Sequence, residues 1–141
     1  MIDKISIGLA QSKKSYGLNK NNKIQEVLKE LNNQDITSLD TSLSYNGSYN
    51  YLKVINLNEY NLSIKFPKIS NRKNLKKKVK ELIEEIFIKY NIKKFDTLLL
   101  HDPLLPLEKD WKIVEKILID YKLKKKIKNI GVSVYSKYEL E

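Results

Sequence analysis

An α/β fold of about five parallel strands joined by crossover helices is what this sequence predicts. Two observations carry that reading. Short apolar runs of strand type alternate with stretches of helical spacing along the whole chain, and no linker or low-complexity tract interrupts the alternation. Ile5-Ser6-Ile7-Gly8-Leu9 is the first strand-like run. Ile24, Val27, Leu28 and Leu31 follow at i, i+3, i+4 and i+7, one face of a helix. Ile36 to Leu39 is again strand-like and ends at Asp40. Tyr51 to Leu57 reads as a weak helix interrupted by asparagine. Leu62-Ser63-Ile64-Lys65-Phe66 is a strand stopped by Pro67. Leu75, Val79, Leu82, Ile83, Ile86 and Phe87 form the clearest helical stripe. Thr97-Leu98-Leu99-Leu100 is continuously apolar at its end, as expected of a strand covered on both faces. Pro103 and Pro106 break the chain, and Asp110 is placed to cap a helix that buries Trp111, Val114, Ile117, Leu118 and Tyr121. Ile127 to Val134 is the fifth strand.

Two architectures satisfy this order, an open doubly wound sheet and a (β/α) barrel. A dinucleotide-binding open sheet normally carries a glycine-rich phosphate loop after its first strand. Here the first strand runs into Gly8-Leu9-Ala10-Gln11-Ser12-Lys13, with no G-x-G-x-x-G, which counts against that version of the open sheet.

The 141 residues suit a single domain, 1–141, and are too few for two. With 41% hydrophobic and 31% charged residues, the chain has the balance of a folded soluble protein. The absence of cysteine removes disulfides, a thiolate nucleophile and a Cys-based zinc site. One histidine, His101, is too few for a multi-histidine metal centre, so no metal is expected. No signal peptide and no run of about 20 apolar residues is present, so the expected location is cytoplasmic and no membrane partner is expected. The net charge of +10 raises a nucleic-acid reading, but Arg72 is the only arginine and the lysines fall on the wet faces of the helical stretches. Bidentate recognition of phosphate or guanine favours arginine's rigid fork, so a lysine-rich solvated surface is the better account and no nucleic-acid partner is expected.

Polar groups stand at three consecutive strand ends: Asp40 after the second, Lys65 in the third and His101 after the fourth, with Tyr45 five residues past Asp40. In a barrel such ends converge on one face, where barrel enzymes keep their active sites. Taken singly, a lysine there can be a salt-bridge partner and a histidine structural; the set at matching strand ends says more. A free tyrosine is a poor acid at neutral pH, and a neighbouring ammonium stabilises its phenolate. A carboxylate keeps that ammonium charged and in place, and a histidine can orient a carbonyl oxygen. Such a group protonates the alkoxide formed when hydride reaches a carbonyl carbon.

Leu39-Asp40-Thr41-Ser42-Leu43-Ser44-Tyr45 resembles the L-D-T-A-x-x-Y segment of the aldo/keto reductases. Ile64-Lys65-Phe66-Pro67 is similar to that family's third-strand T-K-x-P, Leu99-Leu100-His101 to its L-x-H, and Ile130-Gly131-Val132-Ser133 to its I-G-V-S. Tyr16-Gly17-Leu18-Asn19 resembles the Y-G-x-x-N of some bacterial members. The resemblance implies a partial (β/α)8 TIM barrel, its N-terminal portion, acting in NAD(P)H-dependent reduction of a small-molecule carbonyl to an alcohol. It implies Asp40, Tyr45, Lys65 and His101 as the catalytic four with Tyr45 as proton donor. It also implies Ser133 and Asp40 at the cofactor, and NADP by family habit, although the residues themselves leave NAD open.

The sequence departs from the family in three ways. Asn46-Gly47-Ser48-Tyr49 follows the tyrosine, so the family's glycine is displaced and its glutamate missing. Val134 stands where many members have the asparagine that binds the nicotinamide amide. A (β/α)8 domain typically takes about 250 residues, so strands six to eight, which by resemblance hold most of the cofactor, are not accounted for. The chain alone is therefore expected to bind NADPH poorly and not to turn over. An apolar interior open to water, and edges at Ile5–Ile7 and Ile130–Val132, would favour self-association or a complementing fragment. A non-catalytic barrel remnant acting as an assembly or binding module is the alternative function.

Overall fold

The computed structural model describes residues 5–10, 24–34, 36–45, 50, 52, 53 and 55–139. Five strands form one sheet in the order β1-β2-β3-β4-β5: β1 Ile7–Gly8, β2 Ser38–Ser42, β3 Asn61–Phe66, β4 Phe95–Leu100 and β5 Ile127–Val132. Every neighbouring pair is parallel. Among the described residues, the α-helices with defined bounds lie between strands: α1 Ile24–Leu31, α2 Leu75–Tyr90 and α3 Trp111–Leu123. Sequential parallel strands that neighbour each other in chain order, each crossover carrying a helix or a short turn, are the wall of a (β/α) barrel. An open doubly wound sheet would reverse its strand order at a switch point.

The helices form where the apolar period is 3.6. Helix α2 buries Leu75, Val79, Ile83, Ile86, Phe87 and Tyr90, while its lysines and glutamates point to water. It stops at Asn91, whose left-handed backbone (φ 51°) lets its N–H reach the carbonyls of the last turn. Helix α3 buries Val114, Ile117, Leu118 and Tyr121. Phe87 and Tyr121 stack with ring centroids 6.2 Å apart and lock the two helices together. The Tyr121 hydroxyl donates to Glu84; burial and that carboxylate push its pKa above the usual tyrosine range. Against the helices lie Leu39, Thr41, Leu62, Ile64, Phe66, Leu98 and Leu100, each no more than 2% exposed.

Three expectations are corrected. β2 does not end at Asp40: it continues through Thr41 and Ser42, because β3 offers register partners as far as Ser42↔Lys65. The fourth strand starts earlier, at Phe95, and its apolar end is not covered on both faces: Leu98 and Leu100 are buried, Thr97 and Leu99 only partly. Asp110 stands at the start of α3 but its side chain caps nothing. Its backbone is already helical (φ −81°, ψ −5°), so the carboxylate is not aimed at the first free N–H groups. The weak helix expected over Tyr51–Leu57 falls partly outside the described residues. Asn50 and Leu52 are helical, in keeping with that expectation, and a 3₁₀ turn, Leu57–Glu59, capped by the Asn56 side chain, follows. Tyr16–Asn19 and Asn46–Tyr49 also lie outside the described residues.

The face of the sheet away from the helices is not the apolar interior that half a barrel was expected to expose. By alternation it carries Asp40, Ser63, Lys65, Thr97, Leu99 and Gly131, all half-buried, and mostly polar. Gly131 pairs with Leu99, whose side chain lies 3.2 Å from where a Cβ would stand, so a larger residue would push Leu99 aside.

Candidate active site

Register builds the site. Asp40 pairs with Ser63 and Ser42 with Lys65, so Asp40 and Lys65 stand on the same face of adjacent strands, one step apart. The Lys65 Nζ donates to Asp40 Oδ1, with side chains 15% and 23% exposed. Tyr45 comes to the same ammonium from the loop after β2: Nζ lies 5.9 Å from its ring centroid. Burial by itself lowers the Lys65 pKa. The hydrogen bond and charge of Asp40, followed by the charge and hydrogen bond of Tyr45, outweigh burial and hold the lysine above its ordinary value. Lys65 is thus a fixed cation at neutral pH, in contact with one carboxylate and one phenol.

The turn that delivers Tyr45 hangs on Ser42, which is buried. The Ser42 carbonyl accepts the Tyr45 N–H (3.1 Å) and the hydroxyl of Tyr90 (3.1 Å) from the end of α2. The Ser42 hydroxyl donates to the Lys65 carbonyl (3.2 Å) and accepts the Ser44 N–H (3.1 Å). One serine therefore ties the tyrosine loop to the strand that carries the lysine. Sequence reasoning missed both supports. Ser42 reads as an ordinary member of the D-T-S run and Tyr90 as a core aromatic; neither carries a local signal of its partner.

His101 extends the β3–β4 ladder by one residue, its N–H donating to the Phe66 carbonyl at 3.1 Å. Ser133 does the same for β5, donating to the Leu100 carbonyl at 2.8 Å. Both residues therefore stand on the edge where Asp40 and Lys65 meet Tyr45. The His101 ring makes no hydrogen bond to Asp40, Tyr45 or Lys65. Its Nε2 lies 2.8 Å from the hydroxyl of Tyr135. The structure thus assembles three of the sequence-predicted residues and pairs the fourth with a tyrosine the sequence reading did not select. The described residues contain no group of three or more His, Asp or Glu side chains placed to hold a metal ion, and none of their helices is long and apolar enough to cross a membrane. A cleft of about 550 Å³ opens at the opposite, N-terminal ends of the strands, lined by Asn61, Lys94, Asp96 and Lys128 among others, away from this chemistry.

No protein-family model matches the chain, and no curated protein does. Solved structures do match. A Pseudomonas aeruginosa protein assigned to the aldo-keto reductases superposes with a TM-score of 0.68 at 15% identity, over 91% of this chain and 53% of its own. An aldo/keto reductase from Brucella melitensis gives 0.65 at 17% identity, over 96% and 50%. A variant of Gox0644 in complex with NADPH gives 0.60 at 24% identity, over 83% and 42%. The chain has the fold of about half of an aldo-keto reductase barrel, and spans about half the length of the structures it matches.

Proposed function

We propose that this chain is an aldo-keto-reductase-like oxidoreductase that reduces a small-molecule carbonyl to an alcohol at the Asp40–Lys65–Tyr45 edge. The observation that supports this best is the approach of the Tyr45 ring to an ammonium kept charged and held by Asp40. A bound nicotinamide cofactor supplies the hydride; the fold neighbour Gox0644 in complex with NADPH favours NADP for that role. Tyr45 gives its hydroxyl proton to the oxygen that gains negative charge, and Lys65 stabilises the phenolate left behind. Asp40 keeps Lys65 charged and aimed. His101, at the same strand-end edge, orients the carbonyl oxygen in this reading, and Asp40 and Ser133 are the residues of this chain assigned to the nicotinamide end by the family resemblance. The outer edges of β1 and β5 suit the pairing of further strands, from a second copy or a complementing fragment.

The test is NADPH oxidation with an aromatic aldehyde, by the chain supplied with further barrel strands as an extension or as a separate fragment. Tyr45→Phe should lower kcat by about 10²–10⁴-fold, the range of a lost general acid, with cofactor affinity nearly intact. Reduction that survives Tyr45→Phe at full rate would refute the reading.

A further inference from the structure

We propose that Tyr135 is a positioning residue for His101, holding the imidazole where it meets a carbonyl oxygen. The proposal rests on the carbonyl-reductase reading above and adds to it a residue from the loop after β5. Three observations carry it. First, the Tyr135 hydroxyl lies 2.8 Å from His101 Nε2, and the two rings are tilted at 47° with centroids 6.1 Å apart, so the contact is a directed hydrogen bond rather than stacking. Second, the loop is pinned for this purpose: the N–H groups of Tyr135 and Ser136 both donate to the Glu139 carboxylate, at 2.5 and 3.3 Å, which fixes the backbone from which the phenol reaches across to β4. Third, Tyr135 is 73% exposed. An exposed tyrosine contributes little to the core, and its side chain hydrogen-bonds the only histidine of the chain. That bond fixes the rotation of the imidazole ring at the strand-end edge, where His101 and Ser133 end neighbouring strands.

A single histidine makes the test clean. Diethyl pyrocarbonate carbethoxylates free imidazole nitrogen, and the mass of the peptide that carries His101 reports its adduct. Tyr135→Phe keeps the ring and removes only the hydroxyl, so His101 should react about fivefold faster, the scale of one lost hydrogen bond. Acetophenone, a carbonyl compound that is inert without cofactor, should protect His101 in the wild-type chain, and about fivefold more of it should be needed in Tyr135→Phe. Equal modification rates in the two proteins, no protection of the wild type, or equal protection of both would each overturn the proposal. Reduction that does not depend on Tyr45, with the protection pattern intact, would instead overturn the proton-donor reading and leave the His101–Tyr135 pairing standing.

Discussion

Leu39, Ile64 and Leu98 face the helices and are sealed from water, whereas Asp40, Lys65 and Leu99, one residue on in each strand, are only half buried. The same three strands thus serve two purposes through the two-residue period of extended chain. On the covered face, each side chain is worth its removal from water and its packing against α2 and α3. On the open face, packing is sparse, and what holds the residues is the Lys65–Asp40 pair and the hydrogen bonds around Ser42. Stability and chemistry are therefore separable by a shift of one residue, and substitutions on either side of that step should behave differently.

The largest effect is expected on the covered face. Ile64→Ala should cost about 2–5 kcal/mol in chemical denaturation, while its neighbour Ser63→Ala should stay within about 0.5 kcal/mol. Similar losses at both positions would break the comparison. Next comes Lys65→Met, which leaves Asp40 three-quarters buried without its cation. Between the values for exposed and fully buried pairs, the expected loss is about 1–2 kcal/mol, read by the same chemical denaturation. Tyr90→Phe removes one donor from the Ser42 carbonyl, which keeps the Tyr45 N–H, so about 1 kcal/mol is expected. Proton exchange at the Tyr45 amide should quicken with it.

The smallest effect is in the pH dependence. Lys65 has a raised pKa in the folded chain, so its contribution is complete below the ordinary lysine value of about 10.4 and fades as pH rises through the higher folded value. The difference in Tm between the wild type and Asp40→Asn should stay level from neutral pH to about 10 and narrow above that. A gap that narrows already near neutral pH would show that the lysine is not held by Asp40 as described.

Much of this was legible before any coordinates. The helical stripes of α2 and α3 were read nearly in full, with Leu82 and Trp111 only partly buried and Tyr90 missed, because apolar period is a local property that survives packing. The meeting of Asp40, Lys65 and Tyr45 could be anticipated from strand-end position and chemistry. Less local features were misjudged. The apolar end of β4 suggests a strand covered on both faces, yet Leu99 remains partly open, since its second face looks into a half-barrel rather than onto a helix. Asp110 has the right type for a helix cap, but the turn from Glu108, closed by the Trp111 N–H on the Glu108 carbonyl, brings the chain into α3 with Asp110 already helical. Tyr135 carries no sequence signal that would link it to His101.

By itself, the sequence determined the order of strands and helices, the face of each that would be apolar, and the chemical types gathered near the strand ends. These follow from side-chain periodicity and residue chemistry over a few neighbouring positions. The tertiary structure decided which residues meet. Asp40 and Lys65 are 25 residues apart in the chain, Ser42 and Tyr90 48, and His101 and Tyr135 34. Each of those meetings depends on strand register, where a slip of one residue would turn every side chain to the opposite face. Register is set by how whole strands and helices pack together, so no local stretch of this sequence contains it.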